Sequence, residues 1–371
     1  MLVPYNRLSE EQKDLVIRVS RENKNLFVEG PPGSGKTLIS LYTLRDMVEE
    51  GTLRPLLLMY NHSLYGYLKT AMKELEIFDN ITIATKDKFF WDLARQNDIQ
   101  GGGGNYEEKY DLLLTKLLEC DLIRSFDVTV VDEVQDLNPK EWLLVKRLSR
   151  RITSLGDFNQ GIYETKLTKK DIVGQGMMER LTKIFRFHQN IAKLAALFSR
   201  TNDDLVSKVS RNSQTLPQII QVEKIHEFEK IKEILVSLKN MRQRIGVICP
   251  DRDLLKQLSY YLTNESVEFN YYPKNIDLRD HDFTSTTPLL ISSYSAKGLE
   301  FEHVVLFGFN KSSSMVQKLK NEDRLKDVLY VGITRTNTNL YLIKTPDTIS
   351  EITNIDLFSD DSPKEIDTDW F

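Results

Sequence analysis

Short apolar runs alternate along this chain with longer stretches whose hydrophobic positions recur every three or four residues. In the first half, Asn25 to Glu29, Leu53 to Tyr60, Ile81 to Thr85, Val128 to Asp132 and Ile152 to Gly156 read as strands, and Lys36 to Glu50, Ser63 to Glu76 and Pro139 to Leu148 as helices. The second half repeats the pattern. Gln218 to Lys224, Arg244 to Cys249, Pro288 to Ser293, His303 to Phe309 and Asn339 to Ile343 are its strands, and Glu227 to Asn240 and Arg252 to Asn264 its helices. The strand runs are apolar on both faces, which marks a parallel sheet covered on each side by helices. Two α/β domains of similar size are expected.

Four consecutive glycines, Gly101 to Gly104, cannot sit inside a regular element and predict a mobile loop in a small insertion near 94–122. From Thr345 the chain turns acidic and loses periodicity, as a partly disordered tail does. The expected division is therefore 1–175, 176–345 and a tail over 346–371. With 371 residues, 40% of them hydrophobic, there is material for two cores. A net charge of −4 supplies no global attraction for nucleic acid, so any such binding must come from a local groove. Cys120 and Cys249 suggest neither a disulfide framework nor a zinc site. The polar start MLVPYNRLSEEQ is unlike a signal peptide, and no run approaches a membrane span. The expected compartment is the cytoplasm.

The chemistry begins at LFVEGPPGSGKTLISLYTL, which sets a strand, a glycine-rich turn and a helix in sequence. Backbone N–H groups of Gly30, Pro31, Pro32, Gly33, Ser34 and Gly35 (the prolines excepted) can approach phosphates, and the following helix points its positive end at them. Lys36 is placed to reach the outer phosphates of a nucleoside triphosphate, and the Thr37 hydroxyl to ligate Mg²⁺. ATP with Mg²⁺ is the expected pair. Downstream, FDVTVVDEVQD is a buried strand ending in carboxylates. Asp132 is assigned to the metal shell and Glu133 to the general base that polarises the attacking water. Gln135 and Asp136 are expected to link hydrolysis to the second domain.

DEVQD together with GDFNQGIY at Gly156 to Tyr163 resembles the superfamily 1 helicases of the UvrD/Rep type. Further motifs follow in the family's order: LSEEQ at Leu8 to Gln12, LLLMYNHSL at Leu56 to Leu64, TKDKFF at Thr85 to Phe90, LTKIFRFHQNI at Leu181 to Ile191, SYSAKGLEFEHVVL at Ser293 to Leu306 and LYVGITRT at Leu329 to Thr336. The resemblance spans about residues 7 to 345. It implies two RecA-like domains of the P-loop NTPase class, with the nucleotide in the cleft between them. It implies that Gln12 reads adenine, that Gln160 senses the γ-phosphate, and that Arg186 and Arg335 reach across the cleft as arginine fingers. Glu300 is expected near the ribose, with Gly298 permitting close approach.

For single-stranded nucleic acid the resemblance implies Asn61; since such binders combine backbone contacts with aromatic platforms, Phe89, Phe90, Tyr163, Tyr294 and Ser295 are further candidates. Where the family continues GDxxQSIY into an arginine and a stacking tryptophan, this chain reads ETKLTKK. The span between Arg186 and SAKGLEF holds little beyond one RecA-like half, so the large second insertion of bigger members is absent. The implied activity is a compact ATP-dependent single-stranded DNA translocase or helicase moving 3′ to 5′, with RNA as an alternative strand. The other reading is an ATP-dependent switch that uses the helicase fold to regulate a partner nuclease or effector. Terminal Asp367, Asp369, Trp370 and Phe371 are the expected contact for such a protein partner.

Overall fold

The computed structural model describes residues 2–60, 62–158, 167–174, 176–200 and 204–355, with side chains left aside at 62, 63 and 275–277. Two six-stranded sheets organise the chain. The first contains β1 (Leu26–Glu29), β2 (Pro55–Met59), β3 (Thr82–Thr85), β4 (Phe126–Val131), β5 (Ser149–Gly156) and β6 (Met177–Arg180), in the order β3-β2-β4-β5-β1-β6. A two-stranded ribbon follows, β7 (Ile184–His188) with β8 (Val209–Arg211). The second sheet contains β9 (Gln218–Gln221), β10 (Ile245–Cys249), β11 (Asn270–Tyr271), β12 (Leu289–Ser292), β13 (Phe301–Leu306) and β14 (Thr336–Lys344), in the order β11-β12-β10-β13-β14-β9. Every pairing in both sheets is parallel. The α/β class and the two parallel sheets agree with the expectation.

Each apolar strand serves two cores, because successive side chains leave opposite faces of a sheet. Leu26, Val28, Leu57 and Met59 pack under α1 (Glu10–Arg21), α2 (Lys36–Glu49) and α3 (His62–Glu74). Phe27, Leu56 and Leu58 pack on the other face, under α4 (Lys86–Gln96), α5 (Tyr106–Glu119) and α6 (Pro139–Leu148). In the second sheet Ile248, Val304 and Leu342 face one core, and Val247, Val305 and Ile343 the other.

Two expectations on layout are adjusted. β6 pairs with β1, so the first sheet extends past residue 175. The stretch near 94–122 is not a free insertion: α5 lays Leu113, Leu114 and Leu117 into the core, with Gly101 to Gly104 in the link before it. β6, β7, β8 and β11 escaped the sequence reading because they are short and polar or edge-placed, without an apolar run.

The halves touch where α3 meets the short 3₁₀ turn Asn275–Asp280. Gly66 makes this possible. A Cβ there would stand 2.7 Å from the Arg279 carbonyl oxygen and 3.2 Å from the Phe283 ring. Arg279 lies 5.5 Å over the Tyr65 ring and donates to Thr85 Oγ1 at 3.4 Å. In an exposed helix, Gly→Ala is stabilising by ~1 kcal/mol. Here the backbone contact reverses the sign, and Gly66→Ala is expected to cost about 1–3 kcal/mol. Denaturant unfolding checks this; a gain in stability would remove Gly66 as the contact-setting residue.

Candidate functional site: a two-walled cleft

The P-loop leaves β1 and enters α2. Gly33 (φ +75°) and Gly35 (φ +92°) are left-handed, a conformation that suits glycine. Contact requires them too: a Cβ on Gly33 would meet Arg186 Cβ at 2.5 Å, and one on Gly35 would meet Gln12 Nε2 at 2.4 Å. The loop is therefore pressed between α1 and the strand carrying Arg186. The Phe185 N–H, next along that strand, donates to the Gly33 carbonyl at 2.9 Å.

Lys36 is buried and donates to the carbonyls of Gly30 (2.8 Å) and Pro31 (3.3 Å). Thr37 Oγ1 donates to Asp132 Oδ2 at 2.9 Å. Asp132 Oδ1 and Ser34 Oγ are buried without a hydrogen-bond partner. A hydroxyl beside a carboxylate with a spare oxygen is the donor set a hard cation takes, and a glycine-rich loop with an unsatisfied hydroxyl suits phosphate. These residues fit Mg²⁺ and a nucleotide. Among the described residues no group of three or more His, Cys, Asp or Glu forms a separate metal site.

Glu133 stands one residue on, in the left-handed region at φ +56°. A non-glycine residue is rare there, and such strain concentrates at functional sites. Burial pushes its carboxylate up, but Lys297, Lys36, Gln135 and Arg335 outweigh this and hold it below the usual range. For Asp132 the balance goes the other way: burial, then the Glu133 charge, push it up to about 7. Gln135 donates to Glu133 and accepts the Asp157 N–H at 3.1 Å, fixing the carboxylate against the end of β5.

The opposite wall comes from β7 and the second sheet. Arg186 Nε donates to Glu300 Oε2 at 3.0 Å and its Nη1 to the Thr334 carbonyl at 3.3 Å. Burial pushes Glu300 up, yet Arg186 and Arg244 hold it below its ordinary value. Arg335 is buried and donates to the carbonyls of Val331 (3.0 Å) and Leu299 (3.2 Å) and to Thr334 Oγ1 (3.2 Å). Burial, reinforced by Arg186, pulls its guanidinium down to about 9. A cation so placed favours an incoming anion. Gly298 is left-handed at φ +85°, and a Cβ there would stand 3.5 Å from the Leu64 side chain of α3.

Between the walls lies a cavity of about 270 Å³. It brings together Gln12, Lys36, Thr37 and Glu133 from one side and Phe185, Arg186, Glu300 and Arg335 from the other. Gln12 also closes the capping box of α1, accepting the Ser9 N–H and donating to the Ser34 carbonyl at 2.8 Å. Lys297 Nζ donates to both Asp136 oxygens at 2.7 Å, with exposures of 2% and 1%. Lys297 sits inside SAKGLEF, and its charge was the available signal; the sequence reading took Ser295, Gly298 and Glu300 from that motif and passed over the lysine. Tyr67, Arg211, Arg244 and Asn337 also line the cleft, and no local pattern marked them.

The nucleic-acid candidates fare differently. Asn61, Gln160 and Tyr163 lie outside the described residues, as do Asp367, Asp369, Trp370 and Phe371. Phe90 is not a platform: it is fully buried in the core beneath α4. Phe89 packs beside it, 5.2 Å from the Phe90 ring and 5.8 Å from Phe126. Helical periodicity explains the error, since Phe90 lies on the inward stripe of α4. Ser295 is buried too, its hydroxyl receiving a bond from Ser292 at 2.9 Å. Tyr294 is half-buried against the second core.

Comparison with known proteins gives the class first. Residues 12–166 match the family described as AAA domain, the part of the chain that carries the glycine-rich loop. A Mycoplasma pneumoniae protein described as a probable DNA helicase is 26% identical over 252 residues, covering 60% of this chain and 45% of that protein. The chain thus spans under half the length of that curated relative. The PRRSV helicase matches 89% of this chain and 54% of its own at 15% identity and a TM-score of 0.44. Arterivirus nonstructural protein 10, a helicase, matches 92% of this chain and 65% of its own at 15% identity and 0.45. The resemblance to superfamily 1 helicases of the UvrD/Rep type holds. No described helix is long and apolar enough to cross a membrane.

Removing one partner of a buried pair strands the other charge, at ~3–5 kcal/mol. Lys297→Met is therefore expected to destabilise the protein by that amount, and Asp136→Leu added to it to recover most of the loss. A double-mutant cycle by chemical denaturation measures the coupling. Additive effects would exclude a bridging role for the pair.

Proposed function

We propose that this protein is an ATPase of the helicase type, in which closure of the cleft on ATP and Mg²⁺ drives movement along single-stranded DNA. The observation that carries the reading is the two-walled cleft, with Lys36, Thr37 and Glu133 on one side and Arg186 and Arg335 on the other. Lys36 exchanges the Gly30 and Pro31 carbonyls for phosphate oxygens. Thr37 and Asp132 would hold Mg²⁺, which would supply neutralisation of phosphate charge. Glu133 accepts a proton from water as the water oxygen bonds to the γ-phosphorus and the bond to the ADP oxygen breaks. Arg186 and Arg335 stabilise the negative charge on the transferring group, an effect worth roughly 10³–10⁵ in rate for a finger arginine. Gln160 is the expected γ-phosphate sensor.

Polarity from 3′ to 5′ is proposed from the family resemblance. The strand is proposed to run over both halves, touching Asn61, Tyr163 and Tyr294. A protein partner on the acidic tail belongs to the alternative reading, a regulatory switch. One feature favours that reading: the buried Lys297–Asp136 pair joins the two halves.

Steady-state hydrolysis separates the readings. Lys36→Ala and Glu133→Gln are expected to lower kcat by at least ~10²-fold, the range for loss of a general base, with the fold retained by circular dichroism. Single-stranded DNA is expected to raise the wild-type rate more than duplex or RNA does. A rate indifferent to every nucleic acid over a range of salt excludes the motor and leaves the switch.

A further inference from the structure

Arg186 stands on β7, a five-residue strand that belongs to neither six-stranded sheet and pairs with the three residues of β8. A two-stranded ribbon is marginally stable by itself. A side chain that meets developing charge has to be held to within ~0.5 Å, so this ribbon must be fixed from outside. Both of its flanks are anchored. On one flank the Phe185 N–H donates to the Gly33 carbonyl of the P-loop at 2.9 Å. On the other lies β14, which starts at Thr336 directly after Arg335.

Two side chains make the second anchorage. His188 Nε2 stands 3.0 Å from the Thr338 carbonyl and fastens the far end of β7. Arg211, on β8, donates through Nη1 to the Arg186 carbonyl and to the Asn337 carbonyl, the latter at 3.4 Å. One nitrogen thus bridges the backbone of Arg186 and the backbone two residues past Arg335. Both acceptors are neutral carbonyls, so the bridge is one of shape rather than of charge. The two N–H bonds of Nη1 have fixed directions in the guanidinium plane, whereas a lysine ammonium carries the same charge on a rotating head.

We propose that Arg211 is a positioning residue for the arginine pair: by bridging the Arg186 and Asn337 carbonyls it sets the Arg186 backbone against the start of β14, so that Arg186 and Arg335 face one phosphoryl group at a fixed separation. The role rests on the reading of Arg186 and Arg335 as fingers. Arg211 acts on their geometry and not on the nucleotide, although it lines the same cleft. Loss of such a residue lowers the rate of the bound complex and leaves ground-state binding nearly unchanged.

The test is steady-state ATP hydrolysis by the full chain with Mg²⁺. Arg211→Met is expected to lower kcat by about ten- to a hundredfold, the range for a group displaced by about an ångström, with KM within about twofold of wild type. Arg211→Lys should recover little of the loss. In an Arg186→Ala background, Arg211→Met should cost under about threefold, because the group it positions is gone. Thermal melting of each variant checks the fold, and Arg211→Lys keeps the comparison decisive if the Met variant does not fold. A KM raised by about tenfold with kcat unchanged makes Arg211 a nucleotide ligand and overturns the positioning role. Full rescue by Lys, or losses that multiply in the double variant, overturns it too. Unchanged kcat in Arg186→Ala overturns the finger reading and the positioning role together. A deficient Arg186→Ala beside an unimpaired Arg211→Met overturns the positioning role alone.

Discussion

A lysine ammonium and an aspartate carboxylate, both almost out of water, join the two halves of this molecule. Removing two charges from water is expensive, and their mutual attraction repays it only where geometry is good. Lys297 meets that condition by giving bonds of 2.7 Å to both Asp136 oxygens. Burial still pushes the Asp136 carboxyl up to about 6, with Lys297 as the largest opposing influence. The pair is a poor source of net stability and a good source of registry. Opening the cleft would leave a buried carboxylate facing water alone, and closing it restores one specific alignment of the sheets.

The same lysine acts on the residue proposed as base. Lys297 is the foremost cation countering the burial of Glu133, ahead of Lys36. A residue of the second half thus sets the charge of a carboxylate in the first. Asp132 makes the contrast clear: buried beside Glu133, with Thr37 and Lys36 as its countering partners, it rises to about 7. Two adjacent carboxylates at one strand end are driven apart by which wall supplies their partners. Divergent environments of this kind are how neighbouring acids take different roles.

Much of this was legible in the sequence for identifiable reasons. Parallel sheets bury both faces of their strands, so the central strands appear as continuous apolar runs. The P-loop is legible because its glycines answer to contacts as well as to backbone freedom, and both constraints fall on neighbouring positions. What escaped is of two kinds. β7, which presents Arg186, is a five-residue ribbon paired outside either large sheet, and IFRFH carries no clean period. Phe90 shows the converse: a motif position was read for chemistry when its helical stripe had already committed it to the core. Cross-wall partners such as Lys297 with Asp136 are 161 residues apart, and no local pattern encodes that distance.

The resting bonds of the cleft's cations order what a triphosphate would have to displace. Lys36 is held by two carbonyls of the loop itself, and the bonds Arg335 makes to Val331, Leu299 and Thr334 go to neutral oxygens. A charge-assisted bond to phosphate is stronger than a bond to a neutral carbonyl, so each such bond exchanged is a gain. Arg186 is different, because its partner Glu300 is a carboxylate whose charge Arg244 also supports. Its release costs an ion pair, and that cost falls if Glu300 acquires a hydroxyl donor such as a ribose. Lys36 would then exchange its partners more readily than Arg186. On the proposed reading, release of Arg186 toward a γ-phosphate would then depend on a sugar reaching Glu300, and the cleft would respond to a whole nucleotide rather than to phosphate alone.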